Sequence, residues 1–132
     1  MLDMSRNGVM LPHKVEEYID ILARMGYNSL MLYTEDTYEV ENEPYFGYLR
    51  GRYTEKEIIE LDRYAKSKGI ELIPCIQTLA HLKTIFKWSE YDSAHDTGDI
   101  LLCGEECTYQ LIENIFIALQ DLSEMSKQQH LR

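Results

Sequence analysis

Two hydrophobic rhythms alternate along this chain: short, nearly unbroken apolar runs, and longer stretches with apolar residues three and four positions apart. The first rhythm belongs to strands and the second to helices with one buried face. Met1 to Met4 is an opening run that ends in Ser5-Arg6-Asn7-Gly8, a first strand and its loop. Pro12 suits a first helical turn, Val15, Tyr18, Ile19 and Leu22 make the stripe, and Gly26 stops the helix. Ser29-Leu30-Met31-Leu32-Tyr33 then reads as a parallel strand covered on both faces, ending in the acidic pair Glu35-Asp36.

Thr37 to Tyr53 is a long loop broken by Pro44, Gly47 and Gly51 and rich in aromatics: Tyr38, Tyr45, Phe46, Tyr48 and Tyr53. Loops of this length in a compact domain are functional or pack on themselves. Thr54-Glu55-Lys56-Glu57 has the form of a capping box, and Ile58, Leu61, Tyr64 and Ala65 give the second helix its buried face. From Gly69 to Ile76 the pattern is helix stop followed by buried strand, with Gln77 and His81 at its far mouth. Pro74 lacks a ladder donor, which places it near the strand's end, at an edge or a bulge. His81 to Trp88 is expected to be one short helix and Ser89 to Gly104 a loop. Thr108 is the expected cap of a third helix striped by Leu111, Ile112, Ile115, Leu119 and Leu122.

The order strand, helix, strand, helix, strand, helix implies right-handed parallel crossovers and an α/β fold. Three strands cannot close a barrel. A third helix with no strand after it suggests a polypeptide cut from something longer, or an open edge covered by partner copies, so self-association through exposed edges is a further expectation.

With 45% hydrophobic residues, the 132-residue chain can bury the core of one domain or of part of one. Its net charge of −10 opposes phosphate backbones and anionic membranes, so neither nucleic acid nor membrane is an expected partner. No apolar run approaches the ~20 residues that span a bilayer, and Met1-Leu2-Asp3 lacks the regions of a signal peptide. Cys75, Cys103 and Cys107 are odd in number and lack zinc-site spacing; reduced thiols in a cytoplasm are the expectation. No Gly-rich phosphate loop is present, and no metal or cofactor is expected.

Polar groups follow three successive strands: Arg6, then Glu35-Asp36, then Gln77 and His81. Parallel strands end on the same side, so these side chains can meet in one pocket. Each also has a plainer reading: Arg6 as a surface arginine, the acidic pair as a loop cap, His81 as a local hydrogen-bonding group. Glu105-Glu106 is better explained by the positive end of the third helix than by catalysis, and Glu16-Glu17 by a solvated helix face. The loop aromatics and Trp88 either stack on sugar faces or form a small core of their own. His13, His95 and His130 are read as surface residues.

Three motifs together resemble the catalytic barrel of family 20 glycoside hydrolases, the β-N-acetylhexosaminidases. Asp3-Met4-Ser5-Arg6 is similar to the family's Asp-x-Ser/Ala-Arg after the first strand, and Asn28-Ser29-Leu30 leading to Glu35-Asp36 to its second strand with terminal acids. Pro74-Cys75-Ile76-Gln77-Thr78-Leu79-Ala80-His81 is similar to its Pro-Glu-x-Asp-x-Pro-Gly-His, with Leu61-Asp62-Arg63-Tyr64-Ala65 fitting the helix before it. The likeness implies about the first three units of a (β/α)8 barrel, cut before the fourth strand. It also implies a partner carbohydrate ending in N-acetylhexosamine. Arg6 would hold the terminal sugar's hydroxyls, with Gln77 and Trp88 on the same sugar-binding wall, and His81 would pair with Glu35 or Asp36 to orient the catalytic acid. The family's Asp-Glu catalytic pair follows the fourth strand and would be missing here. Cys75, Gln77 and Leu79-Ala80 depart from the motif and mark a divergent branch. The competing readings are a small flavodoxin-like binding or regulatory module, with Ile100-Leu101-Leu102 as a further strand, and a non-catalytic sugar-binding relative.

Overall fold

The computed structural model describes residues 1–6 and 8–128, with side chains described as far as Gln120. Leu122 and His130 therefore lie outside the described side chains. Strands β1 (Leu2–Asp3), β2 (Ser29–Tyr33) and β3 (Glu71–Cys75) alternate with helices α1 (Pro12–Arg24), α2 (Glu55–Ser67) and α3 (Glu106–Gln128). The three strands are parallel and lie in the order β1-β2-β3. A flavodoxin-like sheet would place its first strand between the second and third. Sequential order, with each parallel strand laid beside the one before it, is the winding of a barrel wall.

The helices confirm that winding. Val15 and Ile19 of α1 and Leu61 and Ala65 of α2 share one buried cluster with Leu30 and Leu32 of β2. Both helices thus cover the same face of the sheet. The alternate residue Met31 points the other way and is 36% exposed, so β2 is covered on one face among the described residues rather than on both. In a barrel that second face is the lumen, filled by strands from around the ring. β3 is likewise a half-exposed edge instead of a buried strand, and Pro74 sits next to its end, where a missing donor costs no ladder bond on the open side.

Local chemistry sets the helix ends. The Thr54 hydroxyl accepts from Glu57 N at 3.3 Å and the Glu57 carboxylate accepts from Thr54 N at 2.8 Å, closing the capping box. Gly69 leaves α2 at φ 73°, a left-handed conformation that a side chain would resist. Thr108 is not the cap of α3. The helix starts at Glu106, and the Thr108 hydroxyl donates to the Leu102 carbonyl at 2.8 Å, tying the first turn to the preceding loop. Glu106 lies in that first turn, as the dipole favours.

A second buried cluster joins the long loop (Tyr38, Val40, Phe46), the segment after β3 (Leu82, Ile85, Tyr91, Ala94, Leu101) and α3 (Leu111, Ile115). In that segment the expected helix from His81 to Trp88 shrinks to a 3-10 turn at Ile85–Lys87, and the expected loop holds another at Ser89–Ala94. Leu101 makes only an isolated antiparallel bridge with His95, so Ile100-Leu101-Leu102 is no further strand. His95 is not a surface residue: its ring stacks on Phe86 at 3.9 Å and its Nε2 is buried. A cavity of about 380 Å3, lined by Leu32, Ile58, Leu72, Pro74 and Leu119, lies on the helix side of the sheet. Its lining is mostly apolar, with Thr34, Asp62, Lys66 and Glu71 also on it, and carries none of the expected site residues. No helix among the described residues is long and apolar enough to cross a membrane.

Candidate functional site

Strand register decides whether the polar groups can meet. Asp3 pairs with Tyr33 and Tyr33 with Cys75, so the last residues of the three strands stand side by side. Met4 N to Tyr33 O at 2.8 Å and Thr34 N to Cys75 O at 2.9 Å carry the ladder one step further. Arg6, Glu35 and Gln77 leave the sheet just beyond this common level.

At the end of β1 the Asp3 carboxylate accepts from both Ser5 N, at 2.9 Å, and Ser5 Oγ, at 2.6 Å. These bonds hold the Asp3 carboxyl below the ordinary aspartate range and turn the chain so that Ser5 is buried and Arg6 emerges. The Arg6 guanidinium is 70% exposed and reaches Glu35 Oε1 at 3.4 Å.

The end of β2 is polar yet buried: Thr34, Glu35, Asp36 and Thr37 are each at most 7% exposed. The two acids are held differently. Asp36 Oδ2 accepts from Thr84 Oγ1 at 2.6 Å, and its Oδ1 lies 3.3 Å from Arg50 Nη2. Glu35 Oε1 and Asp36 Oδ1 are both buried without a hydrogen bond among the described residues, each facing one arginine, so the Thr84 bond is what sets Asp36 apart. Burial pushes the Glu35 carboxyl above the usual glutamate range; Arg6 opposes the shift, the Asp36 charge adds to it, and Arg50 and His81 oppose it. Metal-type clusters of His, Cys, Asp and Glu do not occur among the described residues.

After β3, Gln77 Nε2 donates to the Tyr33 hydroxyl at 2.9 Å, on the same rim. His81 is exposed, with a left-handed φ of 64°, and its Nδ1 lies 3.4 Å from Asp99 Oδ2. Its ion-pair contact is thus with Asp99 and not, among the described residues, with Glu35 or Asp36. Trp88 packs against Tyr45 and Tyr48, with ring centroids 5.3 and 5.2 Å away.

Sequence reasoning missed Arg50, Thr84 and Tyr33. Arg50 Nη2 donates to the Ser5 carbonyl as well as facing Asp36, so one guanidinium joins the loops after β1 and β2. The available signal was an arginine between Gly47 and Gly51 in a long loop. The loop folds back because Arg52 Nη1 donates to the carbonyls of Pro44 and Phe46, and Tyr38 and Tyr53 bridge its ends. Gly47 then presses so close that a Cβ there would lie 1.8 Å from the Asp36 carbonyl oxygen.

A consecutive, singly wound set of βα units with a polar rim at the strand ends is the frame on which the sequence motifs fall. The family model for the glycosyl hydrolase family 20 catalytic domain matches residues 1–131, well beyond the three motifs. The chain belongs to glycosyl hydrolase family 20. The N-acetyl-β-hexosaminidase of Streptomyces plicatus in complex with Thio-NAglucal superposes with a TM-score of 0.80 at 25% identity, over 92% of this chain and 29% of that one. The Streptomyces coelicolor A3(2) β-N-acetylhexosaminidase gives 0.80 at 23%, over 92% and 30%. The Vibrio harveyi exo-β-N-acetylglucosaminidase, in complex with N-acetylglucosamine, gives 0.76 at 19%, over 92% and 25%. The chain therefore spans less than a third of the length of these solved relatives. No curated protein sequence is significantly similar to it.

Proposed function

We propose that this chain forms the first three units of the catalytic barrel of a β-N-acetylhexosaminidase and supplies part of the wall that holds a terminal N-acetylhexosamine. The observation that carries the reading is the Arg6–Glu35 pair: an exposed guanidinium, held 3.4 Å from a buried carboxylate, at the common rim of parallel strands. Its planar fork suits vicinal sugar hydroxyls, and Glu35 fixes the end from which it reaches out. The family resemblance and the sugar-bound state of the Streptomyces plicatus and Vibrio harveyi relatives support a sugar as its partner.

The reaction is retaining and substrate-assisted. The sugar's acetamido oxygen attacks the anomeric carbon, an aspartate steadies the amide, and a glutamate protonates the leaving oxygen. That Asp-Glu pair comes from beyond the third unit. Within this chain, Glu35 rather than Asp36 is the acid that works with His81 to orient the incoming proton donor. Asp36 is met at both oxygens, by the Thr84 hydroxyl at Oδ2 and by Arg50 at Oδ1, whereas Glu35 is met by Arg6 at Oε1. Gln77, held by Tyr33, lines the floor.

Hydrolysis of a nitrophenyl N-acetyl-β-hexosaminide tests this. A polypeptide carrying this chain and extended through the rest of the barrel is expected to turn the substrate over, and the 132-residue chain alone is not. Turnover by the short chain would overturn the assignment of roles, and an inert complete barrel would overturn the activity.

A further inference from the structure

Three arginines serve the strand ends and the long loop, and they divide the work. Arg52 closes the loop on itself: its Nη1 donates to the carbonyls of Pro44 and Phe46, and its Nε lies 3.7 Å from Glu39 Oε1. Arg6 is 70% exposed and pairs with Glu35. Arg50 neither closes the loop nor opens to solvent. Its side chain is 15% exposed, and its Nη2 donates to the Ser5 carbonyl and lies 3.3 Å from Asp36 Oδ1. It stands between two residues of left-handed backbone, Leu49 at φ 62° and Gly51 at φ 69°. Leu49 is 79% exposed and gains little packing in return, so the strained turn serves the guanidinium that follows it.

What Arg50 holds decides where Arg6 stands. The Ser5 carbonyl belongs to the peptide bond that carries the Arg6 nitrogen. Ser5 is fully buried and is held from its other side by Asp3, whose carboxylate accepts from Ser5 N at 2.9 Å and from Ser5 Oγ at 2.6 Å. Asp3 and Arg50 therefore clamp the residue before Arg6 from both ends. Asp36 is also bound by Thr84, so one guanidinium and one carboxylate join the segments that follow all three strands. Charge acts in the same direction. Glu35 and Asp36 are 2% and 1% exposed, and each faces one arginine. Without Arg50, Asp36 would be a buried carboxylate with no facing guanidinium, next to the acid that Arg6 serves. Arg6 would then be drawn between two acids, and its reach toward the sugar lost.

We propose that Arg50 is a positioning residue for Arg6: it fixes the Ser5–Arg6 peptide and faces the Asp36 charge, so that Arg6 stays paired with Glu35 and its free end meets the sugar. This rests on the reading of Arg6 as the contact to the terminal sugar and adds the residue that sets where Arg6 reaches. A lysine at position 50 would keep the charge and lose the planar fork, so it can replace the second task better than the first.

Complete barrels carrying Arg6→Ala, Arg50→Ala and both changes form a double-mutant cycle. It is read as kcat/KM for a nitrophenyl N-acetyl-β-hexosaminide and as calorimetric affinity for N-acetylglucosamine. Arg50→Ala is expected to lower both by about tenfold when Arg6 is present and by less than about twofold when Arg6 is already alanine. Arg50→Lys is expected to lose only about threefold, again only with Arg6 present. An equal loss in both backgrounds, or no loss with Arg6 present, overturns the proposal and leaves Arg50 as an anchor of the loop. If Arg50→Ala does not fold, Arg50→Lys takes its place in the cycle with the same two outcomes. The underlying reading fails separately: Arg6→Ala with Arg50 intact would then change neither readout, and a barrel that neither cleaves nor binds the sugar overturns both. In a barrel that binds without cleaving, the cycle is decided by affinity alone.

Discussion

Glu35 shows how much a single position in this rim costs and what it suggests in return. Its carboxyl is 2% exposed, and burial raises its pKa despite Arg6 at 3.4 Å. Below the ordinary glutamate value of about 4.3 both the folded and unfolded chains carry it neutral. As pH rises through the raised folded value, the charge must be held in the buried site, and stability is lost. Glu35→Gln is therefore expected to melt at about the same temperature as wild type near pH 4 and increasingly above it toward neutrality; a gap that does not grow with pH contradicts the assignment. Gly47 is constrained by contact and conformation together. Its φ is 66° and a Cβ would lie 1.8 Å from the Asp36 carbonyl oxygen, so Gly47→Ala should cost about 2 kcal/mol or more in urea unfolding. A change of a few tenths would show that the loop does not press on the end of β2.

At the scale of elements, α2 depends on a local device. The capping box of Thr54 and Glu57 satisfies donors that the first turn leaves open, and Thr54→Ala should lower stability by about 1 kcal/mol, read from the midpoint of denaturant unfolding at unchanged slope. The same locality made much of the fold legible in the sequence. The stop at Gly69, the stripe of Val15 and Ile19, and the span Ser29–Tyr33 follow from periodicity and neighbours within one turn or strand. The segment after β3 follows no such rule: its turns are shaped by packing of Leu82, Ile85 and Leu101 on the long loop and α3. Thr108 had the right chemistry for a cap, but the carbonyl of Leu102 claims its hydroxyl. In the site, Arg6 and Glu35 were legible because each follows a strand directly. Arg50 was not, because its partner carbonyl on Ser5 is 45 residues away and only the folded loop brings them together.

At the scale of the molecule, three parallel strands in sequential order leave their second face uncovered among the described residues, as a barrel wall does on its lumen side. The expectation of strands buried on both faces is correct for a closed ring and wrong for a stretch of it. This arrangement explains why the polar groups collect where they do: each crossover returns the chain to the same end, so one residue set per unit reaches one rim. The account stands on Arg6 at that rim touching the sugar. In the complete barrel, Arg6→Ala should lower kcat/KM for a nitrophenyl N-acetyl-β-hexosaminide by about 30-fold to 1,000-fold, the loss of a charged hydrogen-bond partner worth roughly 2–4 kcal/mol in the transition state. An unchanged kcat/KM would remove Arg6 from the site and, with it, the convergence of these strand ends on a substrate.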